Sequence, residues 1–197
     1  MKNHNVVVIA GPSGSGETTI TQEIISRYPR VKRLVTATTR PPREGERNGV
    51  DYYFFSKGEF EREKKSGRIL ESTYIENRDT YYGSYGPDLE KKISAGNIVV
   101  VNPDIVGARY YKENYGATTI FIIPESIDAL ERRIRDRSPE LSDEEVAHRK
   151  KNAESEMRKE QSFYDYVVVN ADGKLERAVR EIVAILKKEG YNLENSL

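Results

Sequence analysis

Residues 11–18 read Gly11-Pro12-Ser13-Gly14-Ser15-Gly16-Glu17-Thr18. The spacing is that of the phosphate-binding pattern G-x-x-x-x-G-K-[ST], with Glu17 where the pattern has lysine. Gly11, Gly14 and Gly16 permit backbone torsions and close approaches that a Cβ would obstruct. Together with Ser13, Ser15 and Thr19, they set a run of backbone N–H groups against the start of a helix, an arrangement that holds phosphate. The Thr18 hydroxyl is placed to reach Mg²⁺. Glu17 works against this chemistry: at about 4 Å from a phosphate oxygen, like unit charges repel by ~4 kcal/mol at an effective dielectric of 20.

The elements around the loop are those such a site needs. Val6–Ala10 is apolar and β-branched, the mark of a buried parallel strand. From Thr18 onward Ile20, Ile24 and Ile25 share one face of a helix. Further strands are predicted over Arg33–Thr38, Ile98–Val101, Thr119–Ile123 and Val167–Val169. Helices are predicted over Pro87–Ala95 and Ile127–Arg137. Ser142-Asp143-Glu144-Glu145 is a capping box that opens a long charged helix ending near Lys159. The last helix carries Leu175, Val179, Ile182, Val183 and Leu186 at core spacing. This alternation predicts an α/β fold: a parallel five-stranded sheet flanked by helices.

The segment from 40 to 85 differs in texture. Pro41, Pro42, Gly45, Gly49, Gly58 and Gly67 punctuate it, and Tyr52-Tyr53-Phe54-Phe55 reads as a small strand. It is predicted to be a small antiparallel insertion. A second punctuated stretch, over 132–154, is rich in arginine and stands apart from the core. The core then comprises 1–39, 86–131 and 155–197 of a single domain.

Bulk properties bound the partners. The chain has 197 residues, with 32 Lys+Arg against 32 Asp+Glu, so no global basic field points to nucleic acid or an anionic membrane. The absence of cysteine excludes disulfides, thiolate metal sites and thiol nucleophiles and fits a reducing cytoplasm. No signal peptide or transmembrane run is visible in the sequence.

Four ordered motifs carry a resemblance to a known family. They are Thr36-Ala37-Thr38-Thr39-Arg40-Pro41-Pro42-Arg43-Glu44-Gly45-Glu46, Asn48-Gly49-Val50-Asp51-Tyr52, Tyr81-Tyr82-Gly83-Ser84, and Tyr164 to Asn170. Over nearly its whole length the chain resembles the guanylate kinases. The resemblance implies a P-loop nucleoside-monophosphate-kinase fold and transfer of the ATP γ-phosphoryl group to GMP with Mg²⁺. It further implies a GMP site in which Arg40, Arg43, Tyr52 and Tyr82 hold the phosphate. Guanidinium forks suit a phosphate dianion, and phenols can donate to it. Thr36 would face the guanine base, Ser84 would contact the nucleotide, and Asp104 would help hold guanine. A carboxylate must meet guanine N1–H and N2–H₂. Glu71 is the candidate, given a two-residue insertion within Tyr74–Thr80, and Glu76 is the alternative. Arg133, Arg137 and Arg149 resemble the lid arginines, and Asn170 matches a residue that contacts adenine.

Three departures bear on activity. Glu17 replaces the lysine that follows charge into the transition state. Asn102 stands where the family usually carries an acid linked to Mg²⁺, and Val106 replaces a glutamine. Three readings follow: a working kinase impaired at Glu17, a kinase with altered chemistry in which Glu17 meets Mg²⁺, and a non-catalytic module that binds GMP or a phosphorylated partner. The first is favoured, acting on GMP and ATP in the cytoplasm as a monomer or homodimer.

Overall fold

The apolar runs at the centre of the chain pair side by side. The computed structural model describes residues 4–194; residues 1–3 and 195–197 of the predicted core lie outside the described residues. In chain order the elements are β1 (Val6–Ala10), α1 (Glu17–Arg27), β2 (Val31–Arg33), β3 (Ala37–Thr38), β4 (Tyr53–Phe54) and α2 (Lys57–Lys65). There follow β5 (Ile69–Ile75), β6 (Thr80–Tyr85), α3 (Gly86–Ser94), β7 (Ile98–Val101) and α4 (Ile105–Tyr115). The last are β8 (Thr118–Pro124), α5 (Ile127–Arg137), α6 (Asp143–Glu160), β9 (Tyr166–Asn170) and α7 (Leu175–Lys188).

Five strands form one sheet in the order β2-β7-β1-β8-β9, every pair parallel. Both faces of β1 are covered. Val7 and Ile9 pack with Ile20 and Ile24 of α1 and with Val179, Ile182 and Leu186 of α7. Val6, Val8 and Ala10 pack on the other side with Leu89 of α3 and with Ala108 and Tyr111 of α4. Burying each of these larger aliphatic side chains contributes about 1.5–3 kcal/mol of transfer free energy. β1 is the central strand, so the loop after it opens at the carboxyl edge of the sheet, where open α/β sheets bind ligands.

Arg33–Thr38 is not one strand. β2 ends at Arg33 in the parallel sheet, and β3 begins at Ala37 in a second, four-stranded sheet ordered β4-β3-β6-β5. Leu34 still bonds across to Val100, but the Val35 N–H donates to the Asp88 carboxylate on α3 at 2.9 Å instead of to a strand. Asp88 also accepts from the Tyr53 hydroxyl at 3.3 Å and pairs with Lys92. The break is thus made by a buried acid some fifty residues away in the chain, which no local pattern reports.

The second sheet is mixed rather than antiparallel. β3 runs parallel to β4 and antiparallel to β6, and β5 is antiparallel to β6. Its β3 strand comes from before residue 40. Between Ile69 and Ser72 the β5–β6 register shifts by one residue, a bulge that changes which β5 side chains oppose β6. α5 and α6 pack on each other through Leu130, Ile134, Val146 and Ala153. Ser142 and Glu145 make the capping box at the start of α6. Among the described residues, no helix is long and apolar enough to cross a membrane.

Candidate active site

The glycine loop turns from β1 into α1. Gly16 has φ 93°, and a Cβ there would meet the Asn170 amide nitrogen at 2.3 Å, so only glycine fits. Asn170 donates from that amide to the Ser15 carbonyl at 2.8 Å. Arg133 of α5 donates to the Asn170 carbonyl at 2.7 Å, lies 3.4 Å from the Ser15 carbonyl, and pairs with Asp172. Ser15 in the loop and Asn170 beneath it are buried, and neither lines the cavity over the loop. Gly11, Ser13, Gly14, Gly16, Thr18 and Thr19 do line one, of about 570 Å³, with Glu17, Arg133 and Arg137.

A second cavity, about 340 Å³, lies beside the loop. Thr36, Tyr52, Glu71, Tyr82, Ser84 and Asp104 meet there. The β5 bulge sets Glu71 near Ser84, whose hydroxyl donates to it at 2.5 Å. Gly107 of α4 makes room: a Cβ there would sit 3.1 Å from the Glu71 carboxylate and 2.6 Å from Pro103. Asp104 caps α4 by accepting from the Val106 and Gly107 N–H groups, and it accepts from the Thr73 hydroxyl at 2.5 Å. Burial pushes the Glu71 carboxyl above the usual range; nearby Asp104 adds to this, and the Ser84 bond opposes it. Glu76 is exposed in the Glu76–Arg78 turn and lines none of these cavities.

A third cavity, about 570 Å³, shares lining residues with each of the other two. Tyr52 and Tyr82 border both it and the Glu71 cavity, their rings 6.0 Å apart. Arg40, Arg43, Arg137 and Arg149 line it, so insertion and lid arginines converge on one space. Arg40 is held by a bidentate pair with Glu46 at 2.6 Å and lies over Tyr52 at 4.8 Å. That pairing, with the Arg43 N–H, holds the Glu46 carboxyl down at about 2.

Glu17, the first residue of α1, lines both the loop cavity and the Glu71 cavity. Burial, then Glu156 on α6, pushes its carboxyl up to about 8, against the opposing pull of Arg33 and Arg137. At neutral pH the side chain is therefore mostly uncharged. The full repulsion expected from a carboxylate gives way to the absence of a cation.

A family model for guanylate kinase matches residues 3–189. The chain belongs to the guanylate kinase family. It is 42 % identical over 185 residues to the guanylate kinase of Symbiobacterium thermophilum, covering 93 % of this chain and 85 % of that protein. It is 40 % identical over 190 residues to that of Desulfitobacterium hafniense, covering 95 % and 92 %. The crystal structure of guanylate kinase from Anaplasma phagocytophilum superposes with a TM-score of 0.72 at 27 % identity, covering 98 % of this chain and 89 % of that one. A shikimate kinase from Bacteroides thetaiotaomicron, 16 % identical with a TM-score of 0.52, shares the fold.

As a guanylate kinase, the chain has side chains at its site that sequence reading passed over. Thr73 braces Asp104, and Arg78 lines the arginine cavity. Thr73 stands nine residues before Tyr82, where the resemblance places the guanine-reading carboxylate, but carries no signal for this bond; Arg78 has none beyond its own polarity. Asn102, at the acid position, donates to the Ile9 carbonyl at 2.8 Å and the Thr21 hydroxyl at 3.2 Å.

The raised Glu71 carboxyl carries a pH signature. Only the ionised form accepts two guanine N–H groups, so GMP affinity is expected to fall with decreasing pH through an inflection above the ordinary glutamate value of 4.5. Glu71→Gln should abolish that inflection and leave the one near pH 6 that belongs to the nucleotide phosphate. Titration calorimetry from pH 8 to pH 4.5 checks this; identical profiles for the two proteins would contradict it.

Proposed function

We propose that this protein transfers the γ-phosphoryl group of ATP to GMP, giving ADP and GDP, with a rate held down by Glu17. One observation carries the reading: a carboxylate-lined pocket and a glycine-loop cavity both share lining residues with an arginine-rich cavity, the first through Tyr52 and Tyr82, the second through Ser13, Gly14, Arg133 and Arg137. A nucleoside monophosphate with its base at Glu71 and Asp104 would extend its phosphate past Tyr52 and Tyr82 to Arg40 and Arg43. The ionised Glu71 accepts from guanine N1–H and N2–H₂, whereas adenine lacks that donor pair.

In the reaction a GMP phosphate oxygen attacks the γ-phosphorus in line. The bond to the β–γ bridging oxygen breaks, and its electrons leave on ADP. No enzyme nucleophile is needed; positioning and charge stabilisation carry the step. Arg137 and Arg149 bring lid charge to the equatorial oxygens. Asn170 acts from beneath by holding the Ser15 carbonyl, and Arg133 by holding the Asn170 carbonyl, so that the loop N–H groups face the donor phosphates.

Among the described residues, no cluster of three or more His, Cys, Asp or Glu side chains could hold a metal alone. That suits Mg²⁺ held mainly by nucleotide phosphates, with the exposed Thr18 hydroxyl as its protein ligand. The ion would supply charge neutralisation between the β- and γ-phosphates. The balanced charge fits a protein without nucleic-acid partners, and the lack of cysteine fits a reducing cytoplasm.

A coupled assay of ADP release with ATP, Mg²⁺ and GMP tests the reading, with AMP as the competing acceptor. GMP-dependent turnover well above that with AMP supports it. Bound GMP without turnover, in this chain and in Glu17→Lys alike, would leave a binding module instead.

A further inference from the structure

Arg78 ends the Glu76–Arg78 turn at the tip of the β5–β6 hairpin. The backbone beneath it is pinned from both sides. Asp79 adopts a left-handed conformation, φ 48°, accepts from the Tyr74 hydroxyl at 2.7 Å and pairs with Lys57. The Thr80 hydroxyl donates to the Arg78 carbonyl at 2.8 Å. The Arg78 guanidinium itself makes no ion pair with a carboxylate among the described residues. The fold fixes where this side chain starts and leaves its charge unused.

Arg78 lines the third cavity together with Arg40, Arg43, Arg137 and Arg149. Arg40 is neutralised by Glu46, and Arg133, also on that lining, pairs with Asp172, but Arg43, Arg137 and Arg149, like Arg78, form no ion pair among the described residues. Glu140 is the carboxylate on that lining. Like charges gathered this closely repel one another, and an anion of several charges relieves that repulsion. Ser13 and Gly14 of the glycine loop border the same space. Arg78 therefore faces the loop's phosphate-binding side from the insertion, across the gap where two nucleotide phosphate chains would meet.

We propose that Arg78 contacts the phosphates between the two nucleosides and supplies there the positive charge that position 17 lacks. The proposal rests on the function proposed above. A guanidinium suits the role: it stays charged and can bind two phosphate oxygens at once. The contact is made to the donor and transferring phosphates, so it strengthens binding of the two nucleotides together far more than binding of GMP alone.

The test is titration calorimetry on the full chain with two ligands, GMP and an adenosine–guanosine pentaphosphate that spans both nucleotide sites. Arg78→Ala should weaken the pentaphosphate about 10- to 100-fold, as for loss of a charge-assisted contact, and change GMP affinity less than about twofold. Arg78→Lys should recover part of the loss. Unchanged melting temperatures show that the variants fold. The cleft between the tip and α6 is also lined by Glu144 and Glu145, so Arg78 has a competing role as a lid clamp. Glu145 is engaged in its cap, which makes Glu144→Gln the discriminating variant. Equal pentaphosphate affinity in the parent and Arg78→Ala overturns the proposal, as does a loss in Glu144→Gln matching that in Arg78→Ala. A parent chain that binds neither ligand overturns the proposed function, and this assignment with it. A parent that binds both, with Arg78→Ala indistinguishable, overturns the assignment alone.

Discussion

Glu17→Lys is expected to raise kcat for GMP-dependent ADP formation by about 10²- to 10³-fold, the usual magnitude for one preorganised electrostatic partner in a phosphoryl- or acyl-transfer site. Position 17 opens α1 and borders both the loop and the base cavity, so a lysine there reaches the donor phosphates from the loop side. The gain corresponds to one added charge. Burial and Glu156 already hold the glutamate mostly neutral at pH 7, so the substitution does not reverse a full negative charge. Glu156 would be the incoming lysine's protein partner, while Arg137 would oppose it. Glu17→Gln, which copies the neutral acid in shape, is expected to stay within about threefold of the parent at pH 7. The coupled assay at saturating ATP, Mg²⁺ and GMP decides. Intact GMP affinity with no rise in kcat for the lysine form would show that the step does not need a cation at this position.

Glu71→Gln is expected to weaken GMP binding about 30- to 150-fold and to erase most discrimination against AMP. A carboxylate offers two acceptors to the guanine edge. The carboxamide offers one acceptor and places an NH₂ against a guanine donor, leaving a buried pair unmatched at about 2–3 kcal/mol. Ser84 now donates to Glu71 and would still find the amide oxygen, so the pocket is expected to keep its shape. The loss should fall on KM for GMP, with KM for ATP little changed. A GMP affinity within threefold of the parent would move guanine recognition elsewhere in the pocket, where Asp104 and Glu17 are the other acids.

Much of this architecture is legible in the chain because it depends on local chemistry. β1, α5, α7 and the Ser142–Glu145 cap follow from apolar spacing and two reciprocal side-chain-to-backbone bonds. The break after Arg33 does not, because it is imposed by Asp88 through a bond across the fold. The same holds within the site. The glycine loop is visible because its backbone demands particular residues. The β5 bulge beside Glu71 has no residue signature and is set by how β5 meets β6. Asn170 and Arg133 carry the family's pattern, yet Asn170 donates inward to the Ser15 carbonyl and Arg133 to the Asn170 carbonyl, directions that spacing alone does not encode. Arg78 is one charge in a polar turn, indistinguishable in sequence from any solvated arginine.

The two bonds donated by Asn102 also constrain how this chain could change over generations. An aspartate at 102 has no N–H to offer, so a mutant there would set its oxygens against the Ile9 carbonyl before gaining anything at the loop. A mutant at 17 meets no such obstacle, since among the described residues the displaced carboxyl makes no hydrogen bond or ion pair that must be replaced. The order of steps back toward an ordinary phosphate-binding loop is therefore biased: lysine first at 17, acid afterwards at 102. Single-mutant fitness measured at the two positions would differ in sign.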